Sequence, residues 1–193
     1  MPPPMDVKPT GLEGLLLVEP RRFGDERGFF LESYPRERSR AAGVDADFVQ
    51  DNHSRSERGV LRGIHFQVLR PQAQIVTVMR GRIFDVAVDL RPKSPTFGKW
   101  FGAELSDEGP RQLCMAAGFG HGFCVLSDFA DLHYKVSRIY DHADEGGLLW
   151  NDPDVGIRWP IEPRSIAPRD AAYPRLRELR PERLPPDPPV EPK

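Results

Sequence analysis

Four stretches of the chain gather residue types that can move protons or hold anions. The first is Gly59-Val60-Leu61-Arg62-Gly63-Ile64-His65-Phe66-Gln67, where an arginine, a histidine and a glutamine interrupt a run otherwise suited to a core. Burying such groups is costly unless each finds a partner, so they are expected to line a cavity. Strict alternation puts Leu61, Gly63, His65 and Gln67 on one face and Arg62 on the other. A pocket that holds both Arg62 and His65 therefore needs a bend or bulge near Gly63. Imidazole titrates near neutral pH, which makes His65 a candidate general base; the plainer role is a structural histidine. The second stretch, Ala117-Gly118-Phe119-Gly120-His121-Gly122-Phe123, sets a histidine among glycines. Small neighbours let a ligand or another backbone approach closely. The third is Leu132-His133-Tyr134-Lys135-Val136-Ser137-Arg138-Ile139-Tyr140. Period-2 alternation puts Tyr134 and Tyr140 on one face with Leu132 and Val136, which suits core packing or a sugar-ring pocket. The fourth, Phe23-Gly24-Asp25-Glu26-Arg27-Gly28-Phe29-Phe30-Leu31-Glu32, is a charged turn feeding an aromatic strand.

These histidines make a poor metal set by spacing. A metal-binding cupin offers His-x-His and a nearby Glu, then a further His from a second glycine-rich motif, which Gly118–Phe123 resembles. Here the first motif reads His65-Phe66-Gln67, and no Glu occurs between Gln67 and Arg80. Glutamine is a weak ligand for the metals that imidazole sites select. A three-histidine site from His53, His65 and His121 is the alternative that spacing leaves open. The expectation is a site without metal.

The elements that must position these residues read as β. Gly14–Glu19, Gly28–Tyr34, Gly59–Gln67, Ala73–Arg80, Arg82–Leu90, Trp100–Leu105, Arg111–Ala116, Phe123–Ser127 and Asp131–Tyr140 are short and rich in β-branched or aromatic residues. Gly, Pro, Asp and Ser punctuate them. Arg80-Gly81-Arg82 suggests a tight hairpin, and one helix is predicted at Pro35–Ala42, with Pro at its start and Gly43 past its end. Many short strands and little helix predict an all-β jelly-roll sandwich rather than a βαβ sheet.

Length and composition bound the rest. The chain has 193 residues, enough for one domain, with 27 basic residues against 29 acidic ones and a net charge of −2. That balance gives no reason to expect nucleic acid. No apolar run approaches a membrane span, and Met1-Pro2-Pro3-Pro4 does not resemble a signal peptide. Cys114 and Cys124 sit in apolar stretches and are expected to be buried thiols of a cytoplasmic protein. Residues 1–10 form a Pro-rich, flexible or extended leader, residues 11–183 one domain, and residues 184–193 a Pro-rich tail.

Taken in order, the stretches resemble the dTDP-4-dehydrorhamnose 3,5-epimerase family. The matches are Phe23-Gly-Asp-Glu-Arg-Gly-Phe-Phe, Phe48-Val-Gln-Asp-Asn-His-Ser, Val60-Leu-Arg-Gly-Ile-His-Phe-Gln, Phe84-Asp-Val-Ala-Val-Asp-Leu-Arg, Ser94-Pro-Thr-Phe-Gly, Gly118-Phe-Gly-His-Gly-Phe, Tyr134-Lys and Trp150-Asn-Asp-Pro. The resemblance implies a cupin-like fold, a nucleotide-sugar substrate, no cofactor, and a homodimer in which the N-terminal strand joins the partner's sheet. A 4-keto sugar has acidic C–H bonds at C3 and C5, because the carbanion delocalises onto the ketone oxygen. By resemblance His65 is the base, Tyr134 the acid on the opposite face, and Asp170 the carboxylate that orients the histidine. Arg27, Glu32, Gln50, Asn52, Arg62, His121, Tyr140 and Glu145 would line the substrate site, with Arg62 suited to a phosphate. Two positions depart from the family: the residue before Gly118 is alanine where the family prefers proline, and, of more consequence, Gln74 stands where it carries a lysine that stabilises the enolate oxygen. Losing such a donor commonly costs about 3 kcal/mol of barrier. Epimerisation at C3 or C5 alone, or a different nucleotide sugar, is the alternative this raises. A metal-dependent cupin enzyme and a non-catalytic nucleotide-sugar binder are the others.

Overall fold

A computed structural model describes residues 5–186. Two antiparallel sheets face each other. The first contains, in spatial order, β1 (Asp6–Pro9), β2 (Leu15–Glu19), β10 (Gln112–Met115), β7 (Gln74–Arg80), β12 (Phe129–Val136) and β5 (Gln50–Glu57). The second runs β13 (Glu145–Gly147), β6 (Val60–Gln67), β11 (Phe119–Val125), β8 (Arg82–Asp89) and β9 (Trp100–Ser106), with β14 (Ser165–Ile166) parallel to β6. A separate hairpin pairs β3 (Arg22–Asp25) with β4 (Gly28–Leu31). This is the cupin-like jelly roll expected. The only longer helical turns among the described residues are α1 (Arg36–Ala41) and α2 (Pro168–Ala171).

Alternation explains the layers. Leu15, Leu17, Val76, Val78, Leu113 and Leu132 of the first sheet meet Ile83, Ala87, Leu105, Phe123 and Val125 of the second in one buried cluster. The other face of the second sheet buries Ile64, Phe66, Val86, Val88 and Leu148 beneath the chain from Val155 to Leu179. The other face of the first sheet packs Val18, Ile75 and Cys114 against Tyr34, Val44 and Phe48 around α1. Both cysteines are free and buried, and burial pushes the Cys114 thiol up to about 12 and the Cys124 thiol up to about 11.

The structure corrects several expectations. Arg80-Gly81-Arg82 is not a hairpin: β7 and β8 belong to different sheets, and the chain crosses between them at Gly81. Gly81 has φ +84°, and a Cβ there would lie 2.2 Å from the Phe129 carbonyl oxygen. Such a corner accepts only glycine. Asp6–Pro9, read as part of the leader, is an edge strand paired with β2 of its own chain, and Pro9 ends it where no ladder donor is needed. β5 and β3 had no counterpart in the sequence reading. β11 begins at Phe119 rather than Phe123, and β12 ends at Val136 rather than Tyr140. Most of the Pro-rich tail lies outside the described residues. No helix among the described residues is long and apolar enough to cross a membrane.

Candidate active site

One end of the sandwich interior is apolar core; the other is a cavity of about 310 Å³. The switch comes from the inward residues themselves, which change from aliphatic to polar along β6, β7 and β12 and are polar throughout β5. On β6 the bulge that a shared pocket requires is present. His121 pairs with His65 and Phe123 with Arg62, so β6 uses one more residue than β11 across this interval. The parity shift turns both Arg62 and His65 into the cavity. Gly63 carries it, with φ +119° and Gly122 packed so closely that a Cβ would lie 2.5 Å from the Gly122 Cα. Gly122, beside His121, thus serves the approach of another backbone.

His65 forms one wall. Its Nε2 lies 2.8 Å from Asp170 Oδ1, while Asp170 Oδ2 accepts the Gly63 N–H at 3.1 Å. The Asp170 side chain is 2% exposed. Its burial works to raise the carboxyl's pKa, but hydrogen bonds from His65, Gly63 and Arg169 outweigh it and hold the group below its ordinary value. Asp170 is therefore an anion at neutral pH, able to fix the ring's orientation and stabilise an imidazolium.

Tyr134 comes from β12 in the facing sheet, across the cavity. Burial raises its phenol pKa, opposed by the charge of Arg62 and aided by Glu145, so it is a neutral O–H donor through the neutral range. Gln50 and Asn52 of β5 share this wall, joined by a 2.7 Å hydrogen bond, and Gln50 also accepts the Tyr140 N–H at 3.0 Å. Gln74 lies at the same wall, 9% exposed, and its Oε1 is buried without a hydrogen-bond partner among the described residues. A buried acceptor left open in a cavity is suited to a ligand's donor.

At the mouth, Glu145 accepts hydrogen bonds from Tyr140 and, at 2.9 Å, from Tyr173; Arg169 pairs with it at 2.7 Å. Burial, then the Glu145 carboxylate, pushes the Tyr140 phenol up to about 12. His121 lines the cavity with its Nε2 2.8 Å from Asp85 Oδ1, a second histidine–carboxylate pair beside the first. Arg62 is braced by its Nε donating to Ser56 Oγ at 3.0 Å.

The cavity therefore gathers His65, Tyr134, Gln50, Asn52, Arg62, Gln74, His121, Tyr140 and Glu145, with Asp170 directly behind His65. Tyr140 arrives by a loop beyond β12, not by strand alternation. Arg27 and Glu32 are not brought to it within the chain. Arg27 sits in the exposed turn between β3 and β4 bound to Asp25, and Glu32 pairs with Arg38. This hairpin has no inward face of its own to bury them. The three histidines do not converge either: His53 points outward from β5 toward Asp131, 3.3 Å away. Among the described residues no group of three or more His, Cys, Asp or Glu is arranged to hold a metal ion. Arg169, Tyr173 and Asp85 were missed as site residues. Adjacency to Asp170 was the one available signal for Arg169; only the fold reveals the other two.

Residues 9–178 match the family model described as dTDP-4-dehydrorhamnose 3,5-epimerase. A relative of that name from Pseudomonas aeruginosa is 52% identical over 159 residues, covering 82% of this chain and 88% of its own length. A Streptomyces niveus protein named dTDP-4-dehydrorhamnose 3-epimerase is 44% identical over 178 residues, covering 91% of this chain and 86% of its own. Among solved structures, a dTDP-6-deoxy-D-glucose-3,5-epimerase from Legionella pneumophila, in complex with dTDP-4-keto-L-rhamnose, superposes with a TM-score of 0.90 at 45% identity. That match covers 94% of this chain and 97% of the other. With its jelly roll and a cavity flanked by a histidine–aspartate pair and a facing tyrosine, this chain belongs to the dTDP-4-dehydrorhamnose 3,5-epimerase family.

Proposed function

We propose that the protein epimerises a nucleotide-linked 4-keto-6-deoxy sugar of the dTDP-4-dehydro-6-deoxyglucose type at C3, C5 or both. One observation carries the reading: His65 and Tyr134 stand on opposite sheets and face the same cavity. A sugar ring between them meets a base on one face and an acid on the other. Neutral His65 takes the C–H proton, and the electron pair moves into an enolate on the 4-keto oxygen. Asp170 stabilises the imidazolium formed. The Tyr134 hydroxyl then returns a proton to carbon from the far side, the enolate collapses to the ketone, and solvent resets both groups. Arg62 supplies a fork for a phosphate of the nucleotide. The protein acts in carbohydrate biosynthesis in the cytoplasm, as a homodimer. In such a dimer the exposed hairpin with Arg27 and Glu32 has a partner surface to meet.

The test is proton NMR of dTDP-4-keto-6-deoxyglucose with the protein in deuterium oxide. Loss of the C3–H or C5–H signal, abolished by His65→Ala, is expected. No exchange at either carbon would overturn the reading for this substrate. A second reading, epimerisation at one carbon only, is favoured by Gln74, whose uncharged amide stands where the family lysine would, and by the Streptomyces relative named as a 3-epimerase. Exchange and inversion at C3 alone or C5 alone would establish it; inversion at both would remove it.

A further inference from the structure

The segment that supplies Asp170 also carries Tyr173, whose ring borders a second space of about 290 Å³ together with Phe66, Pro174, Leu179 and Arg180. The ring lies against Gly147, where a Cβ would sit 2.3 Å from it, and Gly147 is the β13 neighbour of His65. Its centroid is 5.8 Å from that of His65, edge-on at 75°. Its hydroxyl donates to Glu145 Oε1 at 2.9 Å, the same oxygen that pairs with Arg169 at 2.7 Å. Arg169 in turn places Nη2 3.5 Å from His65 Nε2. With Gly147 on one side and open space beside it, the ring is held in place by its hydroxyl bond to Glu145 as well as by packing.

We propose that Tyr173 is a positioning residue for the reaction: its hydroxyl fixes Glu145 and Arg169, and its ring holds the plane of the His65 imidazole. The role in turnover rests on the epimerase reading; the link to His65 does not. Tyr173→Phe keeps the ring and removes only the hydroxyl. It lowers kcat for proton exchange by about tenfold to a hundredfold, the worth of one hydrogen bond to a charged group, with KM within about twofold. In a Glu145→Gln background the same change has little further effect, because both act on one contact. A loss that multiplies with Glu145→Gln, or that only tracks a lowered Tm, would overturn the proposal. A second measurement needs no substrate. The ring signals of His65 in the free protein, assigned by their absence in His65→Asn, are followed by NMR. Tyr173→Phe shifts them in the wild-type background and not in Glu145→Gln. Signals that superpose on wild type would sink the proposal even in an active enzyme. If the protein exchanges no sugar proton but the His65 signals shift, the epimerase reading falls and the positioning role stands.

Discussion

Replacing Asp170 by asparagine should damage the reaction more than replacing it by alanine. The carboxylate holds three donors at once: Oδ1 takes His65 Nε2 at 2.8 Å and Arg169 Nε at 3.3 Å, and Oδ2 takes the buried Gly63 N–H at 3.1 Å. Asparagine has a single oxygen. The Gly63 amide is buried, whereas Arg169 keeps Glu145 as a partner, so that oxygen turns toward Gly63 and the NH₂ group turns toward His65. Neutral His65 must then accept at Nε2 and carry its proton on the other ring nitrogen, the one left for proton abstraction. Loss of the charged hydrogen bond alone removes about 1.5–3 kcal/mol, or about 10- to 150-fold in rate. Tautomer inversion adds to this; in hydrolase triads the comparable change costs about 10⁴-fold. Alanine loses the anion but leaves the imidazole free to choose its tautomer, and so stays near the lower figure. Deuterium exchange into the 4-keto sugar, with calorimetric dTDP binding as a check on the pocket and melting as a check on the fold, separates the cases. Asp170→Asn within about threefold of wild type would contradict the dyad. Asp170→Ala slower than Asp170→Asn, with both folded, would contradict the assignment of donors.

Tyr134→Phe should leave C–H exchange but abolish inversion, since His65 alone can remove and return a proton on one face; chiral analysis of the deuterated sugar reads this, and inversion at wild-type rate would remove Tyr134 from its role. Because the Tyr134 phenol is raised above its ordinary 10.0, the alkaline loss of activity that it governs should fall above pH 10 in a pH–rate profile; a limb below that value, abolished in Tyr134→Phe, would count against this. Asp170 is held below its ordinary value of 3.8, so its contribution to stability is present above the unfolded value and is lost as pH falls through the folded one. The Tm difference between wild type and Asp170→Asn should therefore be flat from neutral pH to about pH 4 and shrink below it. Gly63→Ala forces a Cβ against the Gly122 backbone at a left-handed φ, and should lower Tm by about 4–8 °C, or about 2 kcal/mol.

The legible parts of the chain were those where one face is dry. β7 and β8 announce themselves because their inward residues pack in the central core. β5 reads Gln-Asp-Asn-His-Ser-Arg-Ser-Glu and was missed for a physical reason: its inner face lines a polar cavity and its outer face carries charge. Neither side shows the hydrophobic alternation by which a strand is recognised. Gly118–Gly122 was read as leading into a strand that began only at Phe123, because glycine weakens a strand pattern. Here the missing side chains make room for Ile64 and Leu90, whose atoms would lie 2.6 Å and 2.9 Å from a Cβ at Gly120. The strand is glycine-rich because it is crowded.

The site was legible to different depths for the same kind of reason. The bulge at Gly63 follows from two polar side chains of the wrong parity in an otherwise apolar strand, a conflict visible in the sequence and resolved only one way if both face one cavity. His65 and Tyr134 can be named from their own segments, but their opposition across the cavity is a property of sheet order, which no local pattern encodes. Asp170 lies 105 residues from His65, and Arg169 and Tyr173 reach the site only because β14 docks parallel to β6 and carries the following chain over Gly147. His65 thus depends on a long closure for its carboxylate partner, while its own strand lies inside the second sheet. Destabilising the C-terminal segment should therefore silence the reaction before it unfolds the sandwich, since Asp170, Arg169 and Tyr173 leave together while the central core stays intact.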